Sequence, residues 1–249
     1  MSSKFFLKHI QLITFDVHNV LLTIRNGAPY QYARLARQHL GIQSIDESLL
    51  RSNFIQAFRT LNITHPGYGV NTNISSRQWW TLIIEYTFKD YQLSSLQLEK
   101  LSKIIYDEFA KGDMWIKHSQ ADYVLKELKK NKKLGVISNF DERLESLLEQ
   151  HNLRQYFQFI LTPRNCGLYK PQEEIFSHAA NLANIQSNNN LCHVGDDVKL
   201  DYRAAQAANC HVLLLSKNEE SKKNLLNEHK DIDRNHVIFN LDELLNLFI

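Results

Sequence analysis

Leu12-Ile13-Thr14-Phe15-Asp16 is an apolar run that closes on a carboxylate. Its aliphatic and aromatic content suits a buried strand of a parallel sheet, and the acid at its end is out of keeping with a core. Downstream, Asn19 and the Asn26-Gly27 pair mark turns, because both residue types tolerate positive φ; residues 20–25 between them read as a small apolar hairpin, a flap over the strand end. From Pro29 to Gly112 the pattern is helical, opening with a proline near a first helical position and with Gly41 just past a helix end. The spacing predicts helices over 30–40, 47–61, 76–88 and 95–111. After Trp115, helices over 120–130, 142–151, 173–182, 200–208 and 241–248 intersperse with strands over 134–138, 159–161, 191–195, 211–215 and 236–239. This alternation implies an α/β fold: a Rossmann-like parallel sheet with helices on both faces, interrupted by a helical insert. The expected organisation is a core of 1–25 and 113–249 and an insert of 26–112. Ligands of such sheets bind at the carboxyl ends of the strands.

Composition narrows the classes. A formal net charge of +2 over 249 residues leaves no electrostatic footprint for nucleic acid, which is bound through clustered Lys and Arg. The densest basic run, Lys126 to Lys133, ends an amphipathic helix and reads as a solvated face. Cys166, Cys192 and Cys210 are widely spaced with no Cys-x-x-Cys pair, so they are read as reduced thiols rather than zinc or redox ligands. The first ten residues carry two lysines and a short apolar patch, which fits neither a secretory signal nor a membrane span. The expectation is an intracellular, cytoplasmic protein without a membrane partner. The histidines are scattered and lack the His-x-x-x-His helix spacing of a metal site, so most are expected to fill surface or core positions.

Polar groups recur at the strand ends: Asp16 after the first, Ser138-Asn139 after the second, and Gly195-Asp196-Asp197 after a later one. One such acid is ordinarily a helix cap or turn former. Three stations along one sheet edge point instead to a site.

These stations resemble the four motifs of the haloacid dehalogenase-like hydrolase superfamily across nearly the whole chain. The nucleophile motif corresponds to Asp16, in Phe15-Asp16-Val17-His18-Asn19. Ser138, in Val136-Ile137-Ser138-Asn139-Phe140-Asp141, is similar to the phosphate-binding hydroxyl motif, and Lys170, in Gly167-Leu168-Tyr169-Lys170-Pro171, to the lysine motif. His193-Val194-Gly195-Asp196-Asp197-Val198-Lys199-Leu200-Asp201 resembles the acidic metal motif. Ser76-Arg77-Gln78-Trp79-Trp80 together with Ser138-Asn139-Phe140-Asp141 is similar to one subgroup of that family, although the adjacent tryptophans also read simply as helix packing.

The resemblance implies a hydrolase acting on a small phosphorylated molecule chosen by the helical insert, which becomes the cap. Asp16 would attack phosphorus, turning one hard displacement into two easier ones. Both partners are anionic, so Mg2+ held by Asp16, Asp196 and Asp201, with the backbone carbonyl of His18, would offset their repulsion. Lys170 would add positive charge; Ser138, Asn139 and backbone amides would hold the phosphoryl oxygens. Asp201 is read either as a metal-site acid or as the partner that orients the lysine, and Asp197 either as an outer metal partner or as a helix cap.

Position 18 departs from the family pattern, which places there a second aspartate that protonates the leaving alcohol. Loss of a general acid costs on the order of 10²–10⁴ in rate. Histidine titrates in a suitable range but differs in shape, and a nearby divalent ion disfavours its protonated form. The alternative is therefore a weakly active phosphate- or partner-binding protein. Carbon–halogen chemistry fits less well, because an acidic cluster without a metal would repel the nucleophile.

Overall fold

The computed structural model describes residues 7–249. The first six residues, on which the reading of the amino terminus partly rests, lie outside them. Among the described residues no helix is long and apolar enough to cross a membrane.

A six-stranded, wholly parallel sheet forms the core. Its strands are β1 (Leu12–Phe15), β4 (Lys133–Ile137), β5 (Phe159–Leu161), β6 (Leu191–Gly195), β7 (His211–Leu215) and β8 (Val237–Ile238), in the order β5-β4-β1-β6-β7-β8. Side-chain alternation explains why these runs are apolar throughout: both faces are covered. Ile13, Phe15, Leu134, Val136, Val194 and Leu213 point into one core; Leu12, Ile137, Leu161, Leu191, Val212 and Leu214 point into the other. The first core is closed by helices Ala121–Lys129, Leu144–Gln150 and Glu243–Phe248, and the second by Glu174–Leu182 and the Tyr202 to Ala208 region. The expected Rossmann-like α/β architecture is the one observed.

The hairpin expected over 20–25 is not formed. Only Leu22–Ile24 is a strand (β2), and its antiparallel partner is β3 (Trp115–Lys117), with Leu22 opposite Lys117 and Ile24 opposite Trp115. The chain therefore leaves the core along β2 and returns along β3. A second omission is the helix Glu219–Glu228, capped by the Asn218 side chain, which buries no residue and so offers no apolar stripe to read.

Between β2 and β3 run the helices α1 (Ala28–Leu40), α2 (Glu47–Thr64), α3 (Pro66–Gly69), α4 (Ser76–Thr87) and α5 (Ser95–Glu108). Pro29 opens α1 and Gly41 ends it in the left-handed region (φ 69°), as the sequence implies. Capping boxes Ser75/Gln78 and Ser94/Gln97 start α4 and α5. The α3 segment is a single turn in which Gly67 and Tyr68 both adopt positive φ.

The two tryptophans divide their labour. Trp79 is wholly buried among the inserted helices, edge-on to Phe58, with its indole N–H donating to the carbonyl of His65 at 2.9 Å. Trp80 instead reaches the core, donating to Asp141 Oδ2 at 2.7 Å. Asp141 is fully buried and also accepts from Arg143 Nε at 2.8 Å and Nη2 at 2.5 Å. The Arg143 guanidinium lies 3.9 Å from the centre of the Tyr106 ring on α5 and donates to the Tyr106 carbonyl. A second tie runs from Arg164, which donates to the Tyr68 and Ile74 carbonyls and to Ser76 Oγ. Trp80→Phe removes a hydrogen bond to a buried charge, an expected loss of about 1.5–3 kcal/mol. Urea unfolding of the variant measures it; an unchanged midpoint would show that the indole N–H contributes nothing to docking.

Candidate active site

The strand order brings the polar stations together. β1 lies between β4 and β6, with Phe15 level with Val136 on one side and Val194 on the other. The residues that follow these strands, Asp16, Ser138 and Asp196, are thereby neighbours on the carboxyl edge of the sheet. The amide of Asp16 donates to the Val194 carbonyl at 2.8 Å, which ties Asp16 to β6.

Lys170 arrives from a loop between β5 and the helix Glu174–Leu182. Asn139 places it: the Asn139 Nδ2 donates to the Lys170 carbonyl at 2.7 Å, and the Lys170 amide donates to Asn139 Oδ1 at 2.8 Å. Both ends of the Asn139 side chain are thus engaged on the lysine's backbone. The Tyr68 hydroxyl, from the insert, donates to the Asn139 carbonyl at 2.8 Å.

The ammonium of Lys170 is almost fully buried, 3.0 Å from Asp16 Oδ1 and 2.5 Å from Asp201 Oδ1. Burial opposes its charge, but the two carboxylates outweigh that and hold its pKa well above the ordinary lysine value. Burial likewise opposes charge on Asp201, yet Lys170 and His193 overcome it and hold this carboxyl well below the usual range. At Asp196 the compensation, from Asn19 and Lys170, is the weaker side. Desolvation, then the negative charges of Asp16 and Asp201, push it up to about 7, despite a 2.9 Å hydrogen bond from Asn19 Nδ2. Asn19 itself adopts the left-handed turn conformation (φ 62°) that its residue type permits.

One carboxylate oxygen of each of Asp16, Asp196 and Asp201 lies within 4.8 Å of the others. Three carboxylates thus face one lysine, an oxygen-only donor set with an uncompensated negative charge, which fits a hard divalent cation. Asp201 differs from the other two. Its Oδ1 accepts from Lys170 and from His193 Nε2 (3.0 Å), and its Oδ2 from the amides of Asp196 (3.0 Å) and Asp197 (2.9 Å). It is delivered by a π-helical turn, Val198–Arg203, and packs so closely on Gly195 that a Cβ there would lie 2.1 Å from its Cγ. Asp197 caps that turn, accepting from the Lys199 and Leu200 amides at 2.8 and 2.7 Å.

Ser138 is buried beside Asn139, its amide donating to the Leu161 carbonyl. His18 is exposed, its ring 6.1 Å from and perpendicular to Trp115. Enough protein crowds the ring that desolvation outweighs the attraction of Asp16 and lowers its pKa, with Lys217 acting in the same direction.

Two further residues escaped the sequence reading. His193, on β6, is completely buried, and its Nδ1 lies 2.9 Å from the hydroxyl of Thr14 on β1. Burial lowers its pKa. A single histidine in an apolar strand carries no signal, and only its place two residues before Gly195 could have marked it.

The parallel core, the helical insert after β2 and the Asp16–Lys170–Asp196–Asp201 group together define the class: the chain belongs to the haloacid dehalogenase-like hydrolase family, whose model matches residues 10–209. Among relatives it resembles haloacid dehalogenase-like hydrolase domain-containing protein 3 of Bos taurus, with 32% identity over 209 residues, covering 83% of this chain and 82% of that one. The family resemblance read from the motifs is therefore correct. Its fold is similar to that of the HAD-hydrolase YfnB from Bacillus subtilis, solved bound to magnesium (TM-score 0.70, 16% identity, 95% of this chain and 97% of that chain). A 2-haloacid dehalogenase from Pseudomonas syringae is also similar (TM-score 0.65, 21% identity, 96% and 97%).

Proposed function

We propose that this protein is a magnesium-dependent, phosphatase-like hydrolase of a small phosphorylated molecule, with Asp16 as the nucleophile and the helical insert as the cap that selects the substrate. The observation that carries this reading is the gathering of three carboxylates, Asp16, Asp196 and Asp201, around the single ammonium of Lys170, where desolvation first and then the charges of Asp16 and Asp201 push Asp196 up to about 7. A divalent ion held by Asp16 and Asp196, with the carbonyl of His18, would neutralise the repulsion between nucleophile and phosphoryl group. The magnesium bound to YfnB is consistent with this. Dehalogenation is disfavoured for the same reason, since the uncompensated carboxylates would oppose an anionic substrate.

In the forward half-reaction Asp16 attacks phosphorus, the bond to the leaving oxygen breaks, and an aspartyl-phosphate forms. Lys170 stabilises the charge between Asp16 and the incoming phosphoryl oxygens, and the Ser138 hydroxyl and the Asn139 amide donate to them. The departing oxygen needs a proton, and the burial that lowers the pKa of His18 works against its holding one to give. In the return half-reaction water attacks the aspartyl-phosphate and releases Asp16, and a neutral imidazole is well suited to accept the water's proton.

The same observation at His18 favours a second reading, a phosphate-binding protein of weak activity. Turnover of p-nitrophenyl phosphate and of alkyl phosphates with and without magnesium separates the two. His18→Asp is expected to raise turnover of alkyl phosphates by roughly 10²-fold or more, and that of p-nitrophenyl phosphate, whose leaving group needs no proton, much less. Equal changes for both substrates would remove protonation as the limitation; no magnesium-dependent turnover in either protein would favour the binding reading.

A further inference from the structure

Asp201 is saturated. An ionised carboxylate offers about four acceptor positions, and here Lys170, His193 and the amides of Asp196 and Asp197 take them. It is therefore an anchor around which the lysine and the Asp196 loop are arranged. Two of its four donors belong to the loop itself and one is the lysine being positioned. The fourth, His193, is an independent support.

His193 is fixed on every side. Because an ionised carboxylate only accepts, its Nε2 must carry a proton, whatever the charge of the ring. The other nitrogen meets the Thr14 hydroxyl at 2.9 Å, and the ring stands edge-on to Phe176 with centroids 5.3 Å apart. Thr14 in turn is on β1, two residues before Asp16, so the chain Thr14–His193–Asp201–Lys170 starts and finishes at the nucleophile.

We infer that His193, oriented by Thr14, is a positioning residue for the hydrolysis: it holds Asp201 so that the Lys170 ammonium is shared with Asp16 rather than drawn onto Asp201 alone. This rests on the phosphatase reading for its kinetic consequence but not for its geometry. Neither residue touches the substrate space; both act through Asp201.

The test uses three variants of the full chain. His193→Phe keeps the ring and its packing against Phe176 but removes both nitrogens; His193→Gln restores an N–H donor; Thr14→Val removes the hydroxyl with little change of shape. The readouts are kcat and KM for p-nitrophenyl phosphate in magnesium, and the rate at which acetic anhydride labels Lys170, followed by mass spectrometry at a temperature where circular dichroism shows each variant folded. His193→Phe is expected to lose on the order of 10–100-fold in kcat, as outer partners of a site typically do, with KM little changed, and to label at Lys170 several-fold faster. His193→Gln recovers most of both, and Thr14→Val shows a smaller loss. Should His193→Phe not fold, Thr14→Val decides: wild-type labelling and kcat in that variant overturn the inference. So do equal losses in His193→Phe and His193→Gln, which would mean that shape and not the donor matters. If wild-type protein shows no turnover dependent on Asp16, the phosphatase reading fails by itself, and Lys170 labelling still decides the positioning role.

Discussion

Asp16→Asn is expected to reduce magnesium-dependent hydrolysis of p-nitrophenyl phosphate by about 10⁴-fold or more, while the protein stays folded. An amide oxygen is a far weaker nucleophile than a carboxylate, and removal of a covalent nucleophile ordinarily takes catalysis to the level of the remaining binding groups. The fold should tolerate the change because Asn has the same outline and Lys170 keeps its 2.5 Å contact with Asp201. The variant also relieves the repulsion that acts on Asp196, so the carboxyl driven up to about 7 in the parent should return toward its usual range. Retention of a tenth or more of parental turnover, with circular dichroism unchanged, would exclude Asp16 as nucleophile.

Lys170→Met carries the largest expected loss of stability. The lysine is the cation that Asp16 and Asp201 share in a buried setting, and removing one partner of a buried ion pair typically costs about 3–5 kcal/mol because the other charge is stranded. Urea unfolding at pH 7.5 should show a loss of that order. Its pH dependence has a definite sign. Asp201 is held below the ordinary carboxyl range by Lys170, so the stabilisation is present above the unfolded-state pKa and fades as the pH falls through the folded one. The deficit of Lys170→Met should therefore shrink in acid, where the stranded carboxyls protonate. Added magnesium should recover part of it at pH 7.5, since a ligand of the native state stabilises by mass action. A variant as stable as the parent at pH 7.5 would mean that the ammonium does not balance the cluster.

Much of this was readable beforehand because a sheet buried on both faces makes its strands uniformly apolar, so a charged residue at a strand end stands out. Asp16, Ser138 and Asp196 were legible for that reason. The β3 strand was not: Trp115–Lys117 is three residues long, and its partner lies at the far side of the insert, so no local pattern marks it. Helix Glu219–Glu228 lacks a buried face, which removes the periodicity by which helices are found. Asn139 is expected from its motif to face a phosphate, but no pattern in the sequence announces that its side chain also holds the backbone of Lys170. Trp80 looked like its neighbour in sequence but bonds to Asp141 across the junction with the core. In each case the missing information was the identity of a partner distant in the chain, which residue type alone does not encode.

The β2–β3 ladder has an evolutionary consequence. Because Ile24 and Trp115 face each other, the helical segment begins and ends at adjacent points, and from the core's side it is a cassette closed by its own clasp. Recombination could replace such a cassette without disturbing the order of the parallel strands, so under the proposed function substrate preference and phosphoryl chemistry would diversify at separate rates. The limit on exchange is set by Asp141 and Arg164, because an incoming cassette must bring its own partners for both.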